Sequence, residues 1–172
     1  MITFKDIKNK KTQIKEEKAK YKELIKNSIN EFIKIYISSL QLPAETFTFK
    51  DGRQHPYVFI LNKDLMPTTS LSLDDLHIDK VNGASFILHT AVDDEAPFPS
   101  PVQTSISVYF IDGKLEYLLQ TGHVNNDVSL LVNDESDLRT FCEIVKESII
   151  ARIESEQIGK KTLKDDSVNI WD

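Results

Sequence analysis

His77, Asp79 and His89 are the residues of this 172-residue chain whose types and spacing come closest to a reactive or metal-binding set. In the run His77-Ile78-Asp79, side chains two apart project to the same side of an extended segment, so an imidazole and a carboxylate could share one ligand. His89 falls in a stretch with strand period, and Asp93, Asp94 and Glu95 follow it. Carboxylates with imidazoles suit a hard or borderline cation, or an acid–base pair. On that reading the chain is a small hydrolase or metal-dependent enzyme, with Asp93 or Asp94 as ligand or base. No fixed motif supports it. There is no His-Glu-x-x-His and no Cys-x-x-Cys, and Cys142 is the single thiol. The sequence therefore assigns no catalytic residue, no metal and no cofactor.

Other chemistries leave weaker traces. A phosphate-cradling loop needs clustered glycines, whereas Gly52, Gly83, Gly113, Gly122 and Gly159 stand apart. No Gly-x-Ser-x-Gly elbow is present. Cys142 falls on the apolar side of a helical pattern, where a thiol packs as a small hydrophobe. Lys5, Lys8, Lys15, Lys22 and Lys26 could meet phosphates, but Glu16, Glu17 and Glu23 interrupt them and no Arg lies nearby. A mixed, solvated helix face is the reading of that stretch, and nucleic acid is not expected as a partner.

Two segments carry protein-contact character. Asp93, Asp94 and Glu95 precede Pro97, Pro99 and Pro101, which alternate with Phe98 and Ser100. Such a run is stiff and loses little entropy on binding. Phe98 either folds onto the core or is displayed beside the acids. The tail ends Asp165-Asp166-Ser167-Val168-Asn169-Ile170-Trp171-Asp172. Trp171 either clips back onto the domain or is presented to a partner. Asp93, Asp94, Glu95, Phe98 and Trp171 are thus the candidate partner-binding residues.

The elements that must position these residues follow from periodicity. Residues 5–40 lack Gly and Pro and precede Pro43, which predicts one long helix. From Tyr21 on, Leu24, Ile25, Ile29, Phe32, Ile33, Tyr36, Ile37 and Leu40 recur at three and four, a stripe made to lie on a core. Before Tyr21 only Ile7, Ile14 and Ala19 interrupt the lysines, so residues 1–20 are expected to project as a basic overhang. From 45 to 132 the period becomes two. Strands are expected over 46–50, 55–61, 84–92, 104–111, 114–120 and 128–132, with a short one near 70–73. Asp51-Gly52 and Asp112-Gly113 mark hairpin turns. A second helix is expected from Ser136 to about Ile158, stopped by Gly159, with Leu138, Phe141, Cys142, Val145, Ile149 and Ile153 on one face. Ile144 and Ile150 fall off that face and predict contact on a second side. The order gives a single α+β domain over 1–172: an antiparallel meander sheet of about five to six strands, two-layered, flanked by a long N-terminal and a C-terminal helix. Its body spans 21–158, and 159–172 form an acidic tail. The sheet face away from the helices should be the more polar one, with Ser105, Ser107, Tyr109, Glu116 and Gln120.

Charge then narrows the partners. Residues 1–40 hold ten lysines against five acids, a net +5, while residues 41–172 hold 11 basic and 22 acidic side chains, a net −11. An acidic body steers toward basic proteins and away from polyanions. A second copy is another candidate, through residues 1–40, since a basic overhang matches an acidic body. No apolar run is long enough for a membrane span, and the charged start lacks a secretory h-region, so no membrane is expected and the localisation reads as cytoplasmic. The 18 lysines against three arginines are read as an AT-rich bacterial or phage coding sequence. The functional expectation is a non-enzymatic protein-binding module of the immunity, inhibitor or chaperone type, with the His77/Asp79/His89 enzyme as the alternative.

Overall fold

The computed structural model describes residues 2–48, 52–76, 83–92, 101–120 and 127–165, with the backbone alone over 156–165. Helix α1 spans Phe4–Ser39. Its start is fixed by Thr3, whose hydroxyl accepts from the Asp6 backbone N–H while the Asp6 carboxylate accepts from the Thr3 N–H at 2.8 Å. That reciprocal box satisfies donors the first turn would leave orphaned, and the same bonds hold the Asp6 carboxyl below its usual range. The strands follow as β1 (Thr46–Thr48), β2 (Gln54–Pro56), β3 (Val58–Leu61), β4 (Pro67–Thr68), β5 (Gly83–Thr90), β6 (Val102–Ile111), β7 (Lys114–Gln120) and β8 (Val128–Val132). Helix α2 spans Glu135–Asp165.

Strands β1 and β2 make a separate two-stranded ribbon, and the other six form one antiparallel sheet in the order β4-β3-β5-β6-β7-β8. The expected α+β two-layer arrangement is therefore present. The expected strand over 55–61 divides at Tyr57, so that His55 pairs with Phe47 in the ribbon and Phe59 pairs with His89 in the main sheet. Pro56 supplies no N–H, which suits the end of one ladder. The tightest turn is Asp112-Gly113, both at positive φ (50° and 81°), the combination a two-residue hairpin matching strand twist demands.

Two expectations need correction. No strand forms over 70–73; the extended residues are Pro67–Thr68. Local side-chain bonds win there: Thr68 accepts from the Ser70 N–H, and Asp75 accepts from both the N–H and the hydroxyl of Ser72. Helix α2 also runs through Gly159 to Asp165. A mid-helix glycine costs only about 1 kcal/mol relative to Ala, and no proline follows to enforce a stop.

Both helices lie on the same sheet face. Tyr21 packs on Phe110 at the hairpin end of β6, with ring centroids 4.8 Å apart, while the Tyr36 hydroxyl lies 3.2 Å from that of Thr90 at the other end. Helix α2 runs the same way, from Leu138 beside Leu115 and Val132 to Arg152, whose guanidinium donates to the Gln103 carbonyl oxygen at 2.9 Å. Phe32 is the hub, its ring 5.6–5.9 Å from those of Tyr36, Tyr117 and Phe141. Ile29, Val58, Ile60, Leu88, Ile106, Val108, Leu119 and Val145 complete the core around it. Among the described residues no helix is long and apolar enough to cross a membrane.

Candidate functional site

The expected partner-binding residues Asp93, Asp94, Glu95, Phe98 and Trp171 lie outside the described residues, as do His77 and Asp79. The structure does describe the ground on which the first four are mounted. Strand β5 ends at Thr90, opposite Val102 where β6 begins. The paired ends Thr90 and Val102 lie at the end of the sheet remote from the β6–β7 turn, and residues 93–100 fall between them in the sequence.

At that same end α2 stands off the sheet and leaves a cleft of about 410 Å³. Its walls come from the start of β6 (Val102, Thr104), the end of β7 (Leu119), the start of β8 (Val128) and α2 (Ile144, Ile149). The strand register explains the grouping. Leu119 pairs with both Ile106 and Val128, so these side chains share the helix-facing side of the sheet. Ile144 lies off the main apolar face of α2, as its position in the sequence implies, and it is half-buried against the core. Ile150, expected to mark the same second contact, is exposed. Gln103, Gln120, Glu147, Arg152 and Ser155 form the polar rim. An apolar interior with few polar rim groups suits an apolar anchor from a partner or a small ligand.

His89, the described member of the alternative catalytic set, is buried in β5. Its ring stacks on Phe59 with centroids 4.7 Å apart and planes within 10°. Among the described residues its Nδ1 has no hydrogen-bond partner, and burial pulls its pKa below the ordinary value. Burial thus favours the neutral ring. The neighbours that share its sheet face are apolar or uncharged: Phe59 and Gln103 beside it and Ile87 two residues before. Cys142 packs in the core as expected, and burial pushes its thiol up to about 12, far from a nucleophilic thiolate. Among the described residues no group of three or more His, Cys, Asp or Glu side chains could hold a metal ion.

No protein family matches the chain, and neither a curated protein nor a solved structure gives a match. The site must be read from its own geometry.

Three features escape sequence reasoning. Asn30 on α1 clamps the loop before β5, donating to the Leu71 carbonyl oxygen at 3.0 Å and accepting the Leu71 N–H at 2.7 Å. Ser28 meets the hydroxyl of Tyr117 at 2.8 Å inside the core. The third is a second, larger cleft of about 680 Å³ at the hairpin end, where Leu24, Phe110, Leu115 and Leu138 are flanked by Glu31, Asp134 and Glu135. The available signal for the first two was a polar residue inside an apolar stripe; for the third, only the tertiary meeting of α1, β6 and the start of α2 could reveal it.

Proposed function

We propose that the chain is a non-enzymatic protein-binding module that receives a basic partner protein at the end of the sheet remote from the β6–β7 turn. The cleft between α2 and the ends of β6, β7 and β8 carries this reading. It offers an apolar seat beside the strands that residues 93–100 connect, and that connection brings Asp93, Asp94, Glu95 and Phe98 in sequence with Val102 on the cleft wall. A partner would place an aliphatic or aromatic side chain against Val102, Val128 and Ile144 and set its basic residues against the acids. The first contact supplies residence time, and the second supplies steering and selectivity. Occlusion of a basic cleft on the partner is the action this surface suits, as an immunity protein, inhibitor or chaperone would perform it.

Affinity capture from native lysate tests the reading. The wild-type chain is expected to retain one basic protein in stoichiometric amount, released by salt. The triple substitution D93N/D94N/E95Q and the single substitution Val128→Lys are each expected to lose it. Val128 is partly exposed at the start of the edge strand, so a lysine there is compatible with the fold. Retention of the same protein by both variants would overturn the assignment to this end. A chain that captures nothing stoichiometric would overturn the function.

A further inference from the structure

Helix α1 outruns the domain it belongs to. Among the described residues, Tyr21 makes the first ring contact of α1 with the sheet and Ile25 is its first buried side chain. Residues 4–20 extend about 26 Å beyond that point at 1.5 Å per residue. The apolar stripe that seals the core does not stop there: Ile14, Ile7 and Phe4 continue it, 43 %, 60 % and 82 % exposed with increasing distance from the body. A helical arm of this length is marginal in water by itself, so an apolar stripe along it calls for a covering surface. The arm carries seven lysines and three acids over residues 4–20, a net +4. It therefore fits an acidic surface with an apolar floor.

The molecule holds one such surface at the root of the same arm. The hairpin-end cleft has Leu24, Phe110, Leu115 and Leu138 inside, and the acids Glu31, Asp134 and Glu135 outnumber the single base Lys114 around it. Leu24 is 41 % exposed. Asp134 is engaged in capping α2, accepting from the N–H groups of Ser136 and Asp137. Glu31 and Glu135 border a neighbouring recess as well, beside Lys34. Glu135 is held by Arg139 of its own helix, so a lysine arriving there meets Glu31 on α1 directly and Glu135 on α2 in competition with Arg139. A rigid helix cannot fold its own tip back onto its root, but a second copy can supply the tip.

We propose that the chain forms an exchanged two-fold dimer in which the arm of each copy seats Phe4 and Ile7 in the hairpin-end cleft of the other. Lys5 and Lys8 of each arm then face Glu31 and Glu135 of the partner copy. The two arms run antiparallel and cross about halfway along, which makes the contact isologous and closed. Each copy buries its exposed stripe and leaves the remote cleft, with Val102 and Val128, free.

Sedimentation equilibrium of the full chain at micromolar concentration tests this, with wild type expected at twice the 19.7 kDa of one chain. The exposed-tip variant F4D/I7D, which touches no core residue, is expected to be monomeric. The charge reversals K5E/K8E and E31K/E135K are each expected to weaken dimerisation about tenfold or more. Mixing these two reversals restores opposite charges at both tip–cleft contacts and is expected to regenerate a mixed dimer. A monomeric wild type, a dimer that survives F4D/I7D, or reversals that fail to rescue each other would each overturn the proposal. So would a monomeric wild type that co-sediments with phosphatidylglycerol vesicles, which would assign the arm to an anionic membrane.

Discussion

Phe32 meets the rings of Tyr36, Phe86, Tyr117 and Phe141, and its loss should be felt accordingly. Phe32→Ala is expected to lower unfolding stability by about 3–5 kcal/mol, read from the urea midpoint; a cost near zero would mean that the rings of Tyr36, Tyr117 and Phe141 do not converge on it. The Ser28–Tyr117 pair makes a subtler claim. Ser28→Ala strands the Tyr117 hydroxyl in the core, whose burial already holds its pKa far above the usual phenol value. A cost of about 1–3 kcal/mol is expected, partly recovered in the double variant with Tyr117→Phe, because an unmet polar group costs more than an absent pair. His89 sets a pH dependence. Its folded pKa lies below the ordinary 6.5, so the unfolded chain takes up the proton first as pH falls. The stability associated with the neutral ring is complete above about 6.5 and is lost below it, before Asp75 and Asp137, both held below the carboxylate value of 3.8, contribute their own acid loss. His89→Phe keeps a ring against Phe59 and should flatten the stability profile between pH 6.5 and the carboxylate range. An unchanged slope in chemical denaturation would contradict the burial of His89.

At the scale of elements, the two halves of α1 do different work. Residues from Tyr21 onward are anchored by apolar burial and by the Asn30 clamp on Leu71, whereas Phe4, Ile7 and Ile14 of the arm are exposed. Deleting residues 1–20 is expected to leave the near-ultraviolet circular dichroism of the aromatic core intact and to remove helical signal only. Loss of the tertiary signal would show that the arm is part of the folding unit. The division between these halves was legible in the sequence because it rests on period alone: stripe positions spaced three and four apart need no knowledge of what they pack on. The hairpin at Asp112-Gly113 was legible for a similar local reason, since only Gly and its few substitutes tolerate the required φ. The misread elements were decided by competition. Around Ser70 the side-chain turn bonds outbid a strand, and at Gly159 the flanking helix formers outweighed one poor residue. The break at Tyr57 depends on two different sheets claiming one extended run, which no local pattern encodes. Both clefts were illegible for the same reason, because each is assembled from at least three elements that meet only in the fold.

On the whole molecule, the division of charge acquires a direction. The +4 arm leaves from the hairpin end, beside the cleft flanked by Glu31 and Glu135, and in the sequence the acids at 93–95 follow β5, whose last residue, Thr90, lies at the opposite end. On the two proposals, one end receives a copy of this chain and the other a different, basic protein. Both contacts combine apolar anchoring with charge, so both should weaken but not vanish as salt screens the charged part. Zero-length carbodiimide coupling joins carboxylates to amines in contact, and mapping its products on the captured complex separates the two ends. Partner lysines are expected to link to Asp93, Asp94 and Glu95, with Glu31 and Glu135 linked to lysines of this chain, Lys5 and Lys8 among them, and to none of the partner's. Partner lysines coupled to Glu31 and Glu135, with residues 93–95 unmodified, would contradict that expectation.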